Sequence, residues 1–148
     1  VITRLRQRLV ADERGSNAAE IVIIAPVIAM LVLVLVAGGR TALADNATQS
    51  AAYAAARAAS LSRDASTAVT NAEDAARRAM SQSGITCTTL TVSVDASGLN
   101  TAIGTTGTVS AAVNCDVSLA DITLPGIPGS RTMSSSAASP VDAYRERG

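Results

Sequence analysis

Histidine, tryptophan, phenylalanine and lysine are absent, and two tyrosines and two cysteines are all that 148 residues hold of those types. Without an imidazole, neither a Ser-His-Asp triad nor a Cys-His pair can be assembled. Cys87 and Cys115 are too few to hold zinc, haem or an iron–sulfur cluster, so no metal, no cofactor and no enzymatic activity are expected. The twelve cations, all arginine, balance twelve carboxylates, which leaves no bulk field to attract nucleic acid. Hydrophobic residues make up 48% of the chain, but alanine inflates the figure and aromatics contribute 1%. The length admits one small domain with a small core.

What is present begins with a basic stretch, VITRLRQRLVADER, in which Arg4, Arg6, Arg8 and Arg14 outnumber Asp12 and Glu13. From Ala18 to Gly39 the only ionisable residue is Glu20, and residues 21–37 are continuously apolar. A helix over this stretch is about 30 Å long, enough to cross a bilayer. Arginines crowd before it and only Arg40 follows closely, so the positive-inside rule puts the amino terminus in the cytoplasm and the residues after 40 outside. Pro26 removes one amide hydrogen and predicts a bend, and Gly38-Gly39 predicts a hinge or break where the apolar run ends. Glu20 has two readings. Asn17-Ala18-Ala19-Glu20 has the spacing of a capping box. Alternatively the carboxylate neutralises a positive charge at the membrane edge, either a nearby arginine or an amino terminus made by cleavage upstream.

Arg14-Gly15-Ser16-Asn17-Ala18-Ala19-Glu20 followed by IVIIAPVIAMLVLVLV resembles the leader junction of type IV prepilins, especially the TadE/TadG-like pseudopilins of Tad/Flp-type pilus systems. The resemblance covers about residues 4–40. It implies cleavage by a membrane aspartyl prepilin peptidase between Gly15 and Ser16, which makes Glu20 the fifth residue of the mature chain. It further implies that Glu20 pairs with the mature amino group of a neighbouring subunit, or with its own before assembly. Partners implied are the prepilin peptidase, other pilins or pseudopilins, the assembly platform and the membrane, with an oligomeric state once assembled. Ser16 stands where major pilins carry an aromatic or methionine, no phenylalanine occurs in the helix, and the Glu-Tyr pair of the small Flp pilins is missing. These departures, with the greater length, favour a minor component over the filament subunit. A rival processing route exists, because Ala42-Leu43-Ala44 after an apolar region also resembles a secretory signal that would release a protein starting at Asp45.

Residues 41–61 are alanine-dominated without proline, and predict a helix continuing from the span. Its shallow face suits lateral packing in an assembly, or equally the covering of the chain's own sheet. Ser62-Arg63-Asp64 interrupts the helix, and residues 65–82 resume it with a stripe of Ala68, Val69, Ala72, Ala75, Ala76, Ala79 and Met80. Thr70 and Glu73 have capping-box spacing, Arg77 and Arg78 suit the carboxyl end, and Gly84 is the expected stop. Alternation of Val109, Ala111, Val113, Cys115, Val117 and Leu119 predicts a half-buried strand, with Leu90, Val92 and Val94 as its antiparallel partner. Residues 95–107 form the connection, and 131–137 add a weaker strand after the turn Leu124-Pro125-Gly126-Ile127-Pro128-Gly129. Cys87 and Cys115 lie on or beside the two strands in the external half, and a disulfide is expected, two buried free thiols being the alternative. Such a bridge contributes about 3 kcal/mol on the chain-entropy model. Because Cys87 is out of phase with Leu90, a bulge or an irregular strand start is needed if both sulfurs are to share a face.

The expected architecture is α+β and pilin-like: a long amino-terminal transmembrane helix extended by an alanine-rich helix, then a small antiparallel sheet with one disulfide. By residue it reads 1–15 basic leader, 16–39 transmembrane and assembly helix, 40–83 extracytoplasmic helical region, 84–138 β region and 139–148 flexible tail. The expected function is that of a TadE-like minor pilin in the cytoplasmic membrane, single-pass with the carboxyl-terminal region outside, and extracellular if built into a pilus. The competing class is a membrane-anchored or secreted extracytoplasmic binding domain unrelated to pili.

Overall fold

The computed structural model describes residues 13–118 and 129–144, with side chains from residue 21 onward. The basic stretch before Glu13, Leu119, the turn from Leu124 to Pro128 and the tail beyond Tyr144 lie outside the described residues. Two helices, α1 (Glu13–Ser60) and α2 (Ala65–Gln82), precede three strands, β1 (Cys87–Asp95), β2 (Gly107–Ser118) and β3 (Ser130–Val141), with a short 3₁₀ turn at Ser97–Asn100. The chain divides into two compact units between Gly38 and Gly39.

The first unit holds the apolar part of α1. Helix α1 continues through Pro26 and through Gly38-Gly39, so the break expected at the glycine pair does not occur. Two glycines weaken a helix by about 1 kcal/mol each, yet opening it there would forfeit a run of consecutive backbone hydrogen bonds with turns formed on both sides. Crowding does not require either glycine, since a Cβ on Gly38 or Gly39 would meet nothing within 4 Å.

In the second unit the periodicity of α1 changes from apolar on all sides to a single stripe. Ala44, Ala47, Thr48, Ala51, Ala52, Ala55, Ala56 and Ala59 are buried, at the three- and four-residue spacing of one helix face. Thr48 is accommodated because its Oγ1 donates to the carbonyl of Ala44 at 2.8 Å. Six of these alanines, all but Ala44, join Ala68, Ala72, Ala76 and Met80 of α2 and Val109, Ala111, Val113, Cys115, Ala137 and Val141 of the sheet in one core cluster. The largest fully buried side chains are Val109, Val113, Thr48 and Cys115, so this core has no aromatic member. Alanines make up most of this cluster, and side chains so small permit close approach of backbones.

Helix α2 starts at an Asp64 cap, not at Thr70, whose Oγ1 instead donates to the carbonyl of Ser66 within the helix. Asp64 accepts from the Thr67 amide at 2.8 Å and from the hydroxyls of Ser66 and Thr67. Arg77 and Arg78 fall short of the last turn, which contains no basic residue. The end is a Schellman motif: Gly84 at φ 68° donates to Ser81, and Ile85 donates to Met80.

The sheet is antiparallel in the order β1-β2-β3, with β2 central. Its inner row on β2, from Val109 to Cys115, is 0–1% exposed. The outer face is hydroxylated: Thr89, Asp116 and Thr132 form one cross-strand row, and Thr91, Asn114 and Ser134 the next. β3 is a full twelve-residue strand paired along all of β2, so the β region runs past the expected boundary at 138 and Ser139, Pro140 and Val141 are not tail. Pro140 is compatible with this because β3 is an edge strand, where a missing amide hydrogen need not interrupt the ladder. The connection after β1 is likewise ordered. Leu99 is buried, and Gly98 and Gly107 cross so closely that a Cβ on Gly98 would meet the backbone of Thr108.

Two outcomes follow from this packing. Gly98→Ala is expected to lower unfolding stability by about 1–3 kcal/mol, because the obstructing atoms are backbone; a chemical-denaturation midpoint equal to wild type would contradict it. The hydrogen bond from Ser66, then those from the Thr67 amide and hydroxyl, hold the Asp64 carboxyl down at about 2 against an ordinary 3.8. Its stabilisation is therefore complete above 3.8 and is lost as pH falls towards 2. Asp64→Ala should lower the melting temperature at neutral pH, with the gap to wild type closing over that acid range.

Candidate functional site

Gly15, Ser16 and Glu20 all lie on the helical backbone of α1. Glu20 is five helical steps on from Gly15, an axial rise of about 7.5 Å. The helix is already formed at Glu13, so Asn17 does not stand at its start and the capping-box position is not realised in the uncleaved chain. From Ile21 onward the side chains are described, and from there to Val36 the large apolar ones are 43–72% exposed on every side of the helix. An all-round apolar helix that its own chain leaves uncovered suits a lipid or protein environment. The stretch is long and apolar enough to cross a membrane, with a mean hydropathy of 3.1 at its most apolar. Pro26 lies within it.

The rival signal-type site is positioned differently. Ala42, Leu43 and Ala44 belong to the interior of α1, with Ala44 only 1% exposed and its carbonyl bonded to buried Thr48. Cleavage after Ala44 would cut into the helix that covers the sheet.

Residues 15–57 match the family model for TadE-like proteins. This stretch is similar to TadE-like proteins and is called the TadE-like segment. No curated protein and no solved structure matches the chain. The TadE-like segment starts at Gly15 and ends at Arg57, so it takes in the apolar run and most of the alanine stripe and leaves the sheet outside it. The family is one of structural, pilin-like proteins and not of enzymes. Among the described residues no cluster of three or more histidine, cysteine or carboxylate side chains is placed to hold a metal.

Downstream of the TadE-like segment, the structure joins Cys87 to Cys115, with an S–S distance of 2.02 Å and Cα atoms 5.4 Å apart. The register explains how residues out of phase meet. Leu90 is opposite Cys115, Cys87 is opposite Val117, and the shift between Cys87 and Thr89 is the irregularity expected at the strand start. The cystine lies in one compact unit, and Gly15, Ser16 and Glu20 lie in the other. Sequence reasoning missed the hydrogen bond between Ser60 Oγ and Ser139 Oγ at 3.0 Å, which joins the end of α1 to β3. Neither serine stands in a local motif, so no sequence signal could have found it. The Asp64 cap did carry a signal, Asp-x-Ser-Thr ahead of an apolar stripe.

The bridge closes a sequence separation of 28 residues. Replacing both cysteines by alanine is expected to reduce stability by about 3–4 kcal/mol on the chain-entropy model. Denaturant titration of the two proteins measures this, and a difference near zero would show that the β1–β2 pairing is self-sufficient.

Proposed function

We propose that the chain is a TadE-like minor pilin or pseudopilin that prepilin peptidase cuts between Gly15 and Ser16 and that then takes part in assembling or capping a Tad/Flp-type pilus. The observation that carries the reading is where the family match begins: at Gly15, the residue after which cleavage is expected, followed by the uncovered apolar helix. Cleavage leaves an ammonium on Ser16 and Glu20 one helical turn away. In a low-dielectric setting either charge alone is strongly unfavourable, and the two together are tolerable as a pair. Pairing between subunits would fix axial register. The arginines before residue 15 hold the leader in the cytoplasm, and the unit carrying the cystine is external, where disulfides persist. Other pilins or pseudopilins and the assembly platform are the partners in this reading, which assigns no catalysis to the chain.

Amino-terminal sequencing and intact mass of protein from its native host should give Ser16 as the first residue. A start at Asp45, or retention of the arginine-rich leader, would sink the pilin reading. Glu20→Ala is expected to leave processing largely intact while lowering incorporation into sheared pilus fractions by tenfold or more, in line with about 1.4 kcal/mol or more of lost pairing. Normal incorporation would reduce Glu20 to a local helix role.

A further inference from the structure

The two sulfurs of the cystine have unequal surroundings. Cys115 is 0% exposed and sits in the central strand beneath both helices' alanine stripes. Cys87 is half-buried at the irregular start of edge strand β1, and it lines a depression of about 360 Å³ with Arg77, Met80, Ser81, Gly84, Ile85, Thr86 and Leu90. Two further observations mark this side as open. A Cβ built on Gly84 would meet nothing within 4 Å, and Arg77 and Ser81 are exposed. Among the described lining residues, Arg77 is the one that carries a charge.

We propose that Cys87 is the exchange sulfur of the folded protein: the cystine is made and opened through Cys87 by carboxylate-bearing thiol and disulfide reagents entering this depression, with Arg77 attracting them and Cys115 resolving. In the oxidising direction the Cys87 thiol loses its proton to water and its thiolate attacks one sulfur of the reagent disulfide. The reagent S–S bond breaks, and one reagent thiolate leaves with the electron pair. Cys115, deprotonated in turn, attacks Cys87 Sγ and displaces the second reagent thiolate. Two protein thiols are oxidised and one disulfide is reduced to two thiols. Reduction runs the same route backwards, a reagent thiolate attacking Cys87 Sγ and the Cys115 thiolate leaving. Attack on Cys115 Sγ would require the core around Val113 to open first, and accessibility is one of the controls on exchange rate.

The test uses the full oxidised chain in detergent, exposed briefly to excess reduced glutathione, quenched in acid and digested by pepsin under acid for mass spectrometry. Glutathione should be found on Cys87. Adduct on Cys115, equal adduct on both, or no adduct on Cys87 would overturn the assignment. As a second measurement, reduced Cys115→Ala should react with glutathione disulfide at least about tenfold faster than reduced Cys87→Ala, with the two rates converging in denaturant. Equal rates without denaturant would also overturn it. Arg77→Gln should slow the glutathione reaction of the wild-type cystine about two- to fivefold at low salt while sparing 2-mercaptoethanol, which is uncharged. Equal slowing of both reagents would remove Arg77 from the proposal.

Discussion

The inclusion of the alanine stripe of α1 in one core with Val109, Val113 and Cys115 is the interaction on which the folded unit depends. A helix can cover a three-stranded sheet with large side chains at a distance or with small ones at closer range, and α1 covers this one with alanines and Thr48. Close range brings its own requirements. Buried Thr48 must return its hydroxyl to Ala44, and the disulfide supplements a core whose buried area per residue is low.

The same helix carries two apolar patterns with different destinations. Upstream of Gly38 its large side chains are exposed all round, and downstream of Ala44 methyl groups are buried on one face. The TadE-like segment includes both, from Gly15 to Arg57. What the family match spans is thus the uncovered apolar run together with the alanine face that packs into the core, whereas β1, β2 and β3 lie beyond it. A segment that ends in a stripe of small residues can accept different sheets, since alanine methyls impose few shape requirements on the partner.

Much of the fold was readable because it rests on short-range patterns. The apolar run, the Ala68-Ala72-Ala76-Met80 stripe, the Gly84 stop and the alternation from Val109 to Val117 each declare their element locally. The need for an irregular strand start followed from the phase of Cys87 against Leu90 alone. What escaped was set at long range or by competition. β3 reads weakly because SRTMSSSAASPV is mostly serine, and its strand form comes from pairing with β2 along its full length, Pro140 included. The glycine pair failed as a breaker because helical turns on both sides outweighed its low propensity. Thr70 lost the cap to Asp64, which offers two carboxylate oxygens to an amide and two hydroxyls. Of the candidate site residues, the cystine was legible from strand positions and compartment, whereas nothing local foretold that Cys87 and Cys115 would differ so much in enclosure.

The alanine stripe has a mechanical meaning. On the helix side the contact with the sheet is made by methyl groups that have no rotamers to exchange, so any side-chain adjustment there falls to Val109 and Val113. Ser60, at the last position of the helix, holds Ser139 of the outermost strand at 3.0 Å. The core cluster and this hydrogen bond thereby tie the end of α1 to the sheet both at its centre and at its edge strand.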